Sequence, residues 1–183
     1  MPEFPPDLVL ELGEVVLRRL RPDDAAALAR LRSDADAVHW SNPGGCTQDE
    51  AARAIADAGE DWGSGRRAEL AIVRSTDDAL VGSISLTFYG EARASLGFDV
   101  APEARGRGVA TRSVVALCAW ALDTFPELVR LELWALPGNG ASAGVAERAG
   151  FHHEGVFRSR LPFGDELRDV VVFSRLRTDP APD

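Results

Sequence analysis

Two glycines and three arginines crowd the stretch from Arg105 to Arg112 in "APEARGRGVATRS", between the apolar patterns of "SLGFDV" and "SVVALCAWAL". That composition, set between a strand pattern and a helix pattern, suits an anion. A helix start leaves backbone N–H groups unpaired and carries partial positive charge, so it holds phosphate without help from side chains. Gly106 and Gly108 have no Cβ, which lets the main chain curl close to a ligand. Arg105, Arg107 and Arg112 add guanidinium groups that pair well with phosphate oxygens. A pyrophosphate is the ligand such a loop suits, and the alternative is a sharp turn with exposed arginines. Two other phosphate motifs do not fit. A P-loop needs a lysine, which this chain lacks, and a dinucleotide fingerprint needs a third glycine where Thr111 stands.

The elements around the loop follow from periodicity. "LVLELGEVVLRRL" reads as two short strands about Gly13 and Glu14. A helix capped by Asp23 or Asp24 runs to about Arg32, and "SDADAVHWSNPGGC" reads as a loop. Thr47 and Glu50 form a capping box for a helix that recurs to Ala51, Ile55, Ala58 and Trp62 on one face. Strands follow over "ELAIVRS", "LVGSISLTFY" and "ASLGFDV". After the glycine-arginine loop, Ala110, Val114, Leu117, Cys118, Ala121, Leu122 and Phe125 repeat at helical spacing until Pro126. "LVRLELWAL" is a strand, "ASAGVAERAG" a short helix closed by Gly150, and "FHHEGVFRSR" with "LRDVVVFSRL" a closing strand pair. Strand meanders with inserted helices predict a mixed α/β sheet.

At 183 residues the chain suits a single domain, expected over residues 8–178 with flexible tails at 1–7 and 179–183. Its 45% hydrophobic and 27% charged residues are those of a soluble globular protein, not a disordered one. No apolar run is long enough for a bilayer, and the N-terminus lacks a secretory pattern, so a cytoplasmic location without membrane association is expected. Cys46 and Cys118 are expected to be free thiols. A net charge of −9 disfavours nucleic acid as a partner. His152 and His153 alternate across a strand and cannot share a metal, and no metal site is expected.

Arg105-Gly106-Arg107-Gly108-Val109-Ala110 resembles the Q/R-x-x-G-x-G/A motif of the GNAT superfamily of acetyl-CoA-dependent N-acetyltransferases. "GNGASAGVAERAGF", Gly138 to Phe151, is similar to that superfamily's second cofactor segment in its RimJ/RimL-like form. "LRRLRPDDAAALARL", "AIVRSTDDALVGSISL" and "RDVVVFSRL" extend the resemblance over roughly Val15 to Leu176.

The resemblance implies an α/β (α+β) fold whose mostly antiparallel sheet splays at a cofactor slot, with helices on both faces. It implies acetyl-CoA as acetyl donor, a primary amine as acceptor, and a homodimer as a common family state. Phe98 and Val100 would pair with the pantetheine arm, and Arg105, Gly106, Arg107, Gly108, Val109 and Ala110 would hold the pyrophosphate. Asn139 would hydrogen-bond the cofactor, or be only a turn residue. The family's usual acid, a tyrosine, falls at Ala146 here, so Ser142 becomes the candidate acid, unless it only caps its helix. Glu132 is the candidate base, unless it faces solvent. The acceptor slot would draw on residues 39–46, 89–93 and 161–166. A non-catalytic acyl-CoA-binding or regulatory domain of the same fold is the alternative.

Overall fold

Strand-forming residues that alternate in and out build eight strands, joined in one sheet in a computed structural model that describes residues 2–182. The strands are β1 (Val9–Glu11), β2 (Val15–Arg19), β3 (Arg67–Arg74), β4 (Leu80–Phe88), β5 (Arg93–Val100), β6 (Arg130–Ala135), β7 (His152–Phe163) and β8 (Glu166–Leu176). Their order across the sheet is β1-β2-β3-β4-β5-β6-β8-β7. All neighbours are antiparallel except β5 and β6. The helices are α1 (Ala25–Arg32), α2 (Ala35–Trp40), α3 (Gln48–Ser64), α4 (Val109–Thr124) and α5 (Gly140–Arg148).

Register decides which face each side chain joins. Phe98 stands opposite Ile84 and Leu96 opposite Leu86, and Leu96 pairs onward with Leu133. Against that face α4 and α5 bury Val114, Leu117, Cys118, Val145 and Ala146. Burial pushes the Cys118 thiol up to about 12, which leaves it unreactive. On the other face Arg32, at the end of α1, reaches Glu69. There α1 and α3 share a smaller core of Leu28, Leu31, Ala51 and Ile55.

The capping box of α3 forms as expected, with Thr47 Oγ1 accepting from the Glu50 N–H, and Ala51, Ile55, Ala58 and Trp62 are all buried. Three expectations change. The predicted loop over 33–46 contains α2, a short helix begun by Asp34, whose side chain accepts from the Asp36 N–H. Its six residues are too few to display a helical period. Asp24 precedes α1 but its carboxylate does not cap that helix; it accepts from the Arg21 N–H and from Arg18. The expected N-terminal tail is tied down, because Phe4 is buried with its ring 5.2 Å from that of Trp62 and 5.9 Å from that of Phe125. Met1 and Asp183, which the expected tails include, lie outside the described residues.

Arg18 joins two carboxylates, pairing with buried Asp24 at 2.8 Å and with Asp78 at 2.8 Å. Removing it would leave the Asp24 charge buried without its partner. Arg18→Ala is therefore expected to lower unfolding free energy by about 3 kcal/mol in urea titration, and a loss below about 1 kcal/mol would contradict this role.

Candidate active site

The sheet comes apart at one place. β5 and β6 pair in parallel from Arg93 with Arg130 to Leu96 with Leu133, and the ladder stops there. β5 runs on beside β4 to the pair of Val100 with Gly82, while β6 runs on beside β8 to the pair of Ala135 with Val171. The two strands thus diverge beyond Leu96 and Leu133, and a cleft of about 680 Å³ opens between them. Bonding alternates along an antiparallel ladder. The Ala101 N–H donates to the Val81 carbonyl and the Tyr89 N–H to the Arg93 carbonyl. By that alternation the main-chain groups of Gly97 and Asp99 are used by β4, and those of Phe98 and Val100 turn toward the parting. Both residues line the cleft.

The glycine-arginine loop stands at its mouth. Gly106 and Gly108 have φ of 72° and 73°, the left-handed region that a side chain disfavours. Gly108 is the N-cap of α4, with no capping side chain and no acidic residue in the first turn. The helices α3 and α5 are capped by Thr47 and Asn139. The start of α4 is bare beside them, and Gly106, Gly108, Val109 and Ala110 line the cleft.

The arginines divide their work. Arg105 lines the cleft, yet its guanidinium bonds Asp34 and Asp36 of α2, and its Nε donates to the Val100 carbonyl at 2.9 Å. It holds the Asp34 carboxyl below the ordinary aspartate range. Arg105 thus braces α2 against β5, with Nε, Nη1 and Nη2 each engaged in one of these bonds. Arg112 donates to the Arg107 carbonyl at 2.9 Å and fixes the bend, while the Arg107 side chain lies outside the cleft lining. The bare N–H groups of the helix start are what the loop presents at the cleft.

Asn139 and Ser142 both line the cleft. The cap of α5 is Asn139, whose Oδ1 accepts from the Ser142 N–H at 3.0 Å. The capping role considered for Ser142 thus belongs to Asn139, and the serine hydroxyl is not used in the cap. Ala146 is fully buried among apolar neighbours and contributes no acid. Glu132 is not brought to the cleft. It stands opposite Ser95 and Ser174, and both its oxygens are taken, one by Arg130 Nε at 2.7 Å and one by Trp134 Nε1 at 3.1 Å. It is buried rather than solvent-facing, and it holds the indole N–H of Trp134, which does line the cleft.

Several cleft residues escaped the sequence reading. Asp99, Ser83, Ser85 and Glu69 share one sheet face through the pairs Asp99 with Ser83 and Glu69 with Ser85. Glu69 is held by Arg32 and Arg67. The Asp99 carboxyl is raised above the ordinary aspartate range by burial, against the opposing hydrogen bond from Ser41 Oγ at 2.8 Å. Polar residues at alternate positions of otherwise apolar strands were the available clue. Of the expected acceptor segments, Trp40, Ser41 and Leu161 line the cleft and residues 89–93 do not. Among the described residues no group of three or more His, Cys, Asp or Glu is arranged to hold a metal, and no helix is long and apolar enough to cross a membrane.

A mixed sheet parted between two parallel strands, with an uncapped helix start at the parting, defines the acyltransferase class of α/β fold. More particularly, the family model of the acetyltransferase (GNAT) domain matches residues 14–152, and the chain belongs to that family. YdaF of Bacillus subtilis (strain 168), provisionally named a ribosomal N-acetyltransferase, is 33% identical over 105 residues, covering 56% of this chain and 57% of YdaF. YjcK of the same organism, provisionally named an N-acetyltransferase, is 31% identical over 111 residues, 59% of this chain and 61% of YjcK. The match thus spans about three-fifths of the length of these curated relatives. Mycobacterium smegmatis RimJ, solved in complex with CoA-disulfide, is similar in structure with a TM-score of 0.75 and 25% identity, covering 88% of this chain and 81% of RimJ.

Proposed function

We propose that this chain is an N-acetyltransferase that transfers the acetyl group of acetyl-CoA to a primary amine by direct attack of the amine nitrogen. The observation that carries this reading is the parting of β5 from β6 with the uncapped start of α4 at its mouth. Acetyl-CoA fits the residues present. Main-chain groups from Gly106 to Ala110 would take its pyrophosphate, and the Phe98 main-chain groups and the Val100 N–H, on the edge β6 leaves, would pair with its arm, as the Asn139 amide would from the opposite wall. When bound it supplies an acetyl group activated as a thioester.

The chain's own groups have three tasks: to receive the amine, to stabilise the oxyanion, and to protonate the departing thiolate. Main-chain N–H groups near Val100 suit the oxyanion. The Ser142 hydroxyl, left free by the Asn139 cap, suits the proton delivery. Glu132, with both oxygens bonded, acts by orienting Trp134 rather than as a base.

The name of YdaF points to ribosomal proteins, and the proposed acceptor is a protein N-terminal α-amine in the cytoplasm. An α-amine of pKa ~8 costs about 1 kcal/mol to deprotonate at neutral pH, against roughly 4–5 for a lysine amine. The test is thiol release from acetyl-CoA with peptides bearing free N-termini, Nα-blocked lysine peptides and small amines. Release with free N-termini is expected. Binding of acetyl-CoA with no release above background for any amine would replace this reading with that of a non-catalytic acyl-CoA-binding domain.

A further inference from the structure

The acceptor half of the cleft has a floor of small residues and one carboxylate without a salt bridge. Ser83, Ser85 and Gly97 line that floor on the face where Asp99 sits. Around it stand Trp40 and Ser41 at the end of α2, and Trp134 and Leu161 across the parting. Four acidic side chains are near. Asp34 and Asp36 are paired with Arg105, and Glu69 with Arg32 and Arg67. Asp99 has only the Ser41 hydroxyl, on Oδ1, and no ion pair among the described residues. Its Oδ2 has no bonded partner among them. Asp99 also immediately precedes Val100, so its carboxylate hangs beside the backbone edge proposed to face the thioester.

We propose that Asp99 receives the ammonium group of the acceptor and takes a proton from it as the nitrogen attacks, which makes the pocket between α2 and β5 the site for a cationic primary amine. This rests on the acetyl-transfer reading above. Asp99 is half-buried and lines the cleft; a carboxylate so placed, with no cation in contact, suits an ammonium group, which has the charge and the N–H donors to pair with it. Trp40 and Trp134 line the same pocket as its aromatic walls, the Trp134 ring itself holding the Arg160 guanidinium 4.8 Å from its centroid.

The step balances. The ammonium loses one proton to Asp99, which passes it to water, and the freed lone pair forms the bond to the acetyl carbonyl carbon. The carbon–sulfur bond then breaks with its electrons on sulfur. The sulfur gains a proton through Ser142 as the new amide nitrogen loses its second one. The products are the amide, the thiol and one proton released to solvent.

The charged groups facing Asp99 are Arg32 on α1, Asp36 on α2, Arg67 and Glu69 on β3, and Arg105. Burial holds its carboxyl above the ordinary aspartate range, which brings it closer to an amine in proton affinity.

The test measures kcat, KM and their pH dependence for Asp99→Asn with the best acceptor of the amine panel, beside CoA affinity. CoA affinity is expected to match the unaltered protein. At pH 7, kcat/KM is expected to fall about 100-fold, and the deficit to shrink as pH rises past the amine pKa, where the acceptor arrives already deprotonated. Asp99→Ala, the second variant should the first fold poorly, is expected to show the same recovery. A loss constant across pH in the folded variants, or no loss at all, would overturn the proposal. Either outcome leaves acetyl transfer by the unaltered protein intact, whereas absence of transfer by that protein sinks the underlying reading instead.

Discussion

Gly108→Asp is expected to abolish measurable CoA binding while the protein stays folded. Gly108 has φ of 73° at the start of α4, and an added Cβ would lie 3.0 Å from Arg112 Nη1. That contact is with the far end of a flexible side chain, and aspartate is among the few residues that tolerate the left-handed region, so the fold can absorb the change. The new carboxylate would sit at the helix N-terminus, where it satisfies the dipole that the pyrophosphate would otherwise satisfy. Two like charges then compete for one site. Replacing attraction by repulsion there should weaken CoA binding by at least about 1000-fold, or some 4 kcal/mol. Calorimetric titration checks it, with the thermal midpoint as control. CoA affinity unchanged in a folded variant would remove the loop from the binding site.

Ser142→Ala is expected to lower kcat by about 100-fold with little change in CoA affinity, since a positioned proton donor contributes roughly 10²–10⁴ in rate. Helix α5 should survive the change, because its cap bond uses the Ser142 N–H, which alanine retains, and the Asn139 oxygen. Asn139→Ala would strike the cap itself, so it makes a poorer probe of the chemistry. Steady-state rates with saturating acetyl-CoA separate the outcomes: an unchanged kcat would remove the serine from proton delivery.

Much of this was legible in the chain alone, for local reasons. The two left-handed glycines, the capping box at Thr47 and the end of α4 before Pro126 each rest on residues within a turn of one another. What stayed hidden depended on partners far along the chain. Arg105 reads as a phosphate ligand until its guanidinium is seen on Asp34 and Asp36, 71 and 69 residues earlier. Helix α2, too short to announce itself, is held over the cleft by that same contact. Glu132 alternates with leucines in a way that allows either face, and only the register with β5 and β8 reveals Arg130 and Trp134 as its bonded partners. Asp99 is one of three polar residues in β5, with Arg93 and Ser95, and nothing local sets it apart from them. Its neighbours on the same face, Ser83 and Ser85, belong to a different strand, and only their pairing makes a floor.

The most direct measurement is a crystal structure of the protein with CoA. The account predicts pyrophosphate oxygens accepting hydrogen bonds from main-chain N–H groups between Gly106 and Ala110, with the pantetheine arm lying along Phe98 and Val100. A nucleotide bound elsewhere at saturation, with that bend vacant, would contradict it.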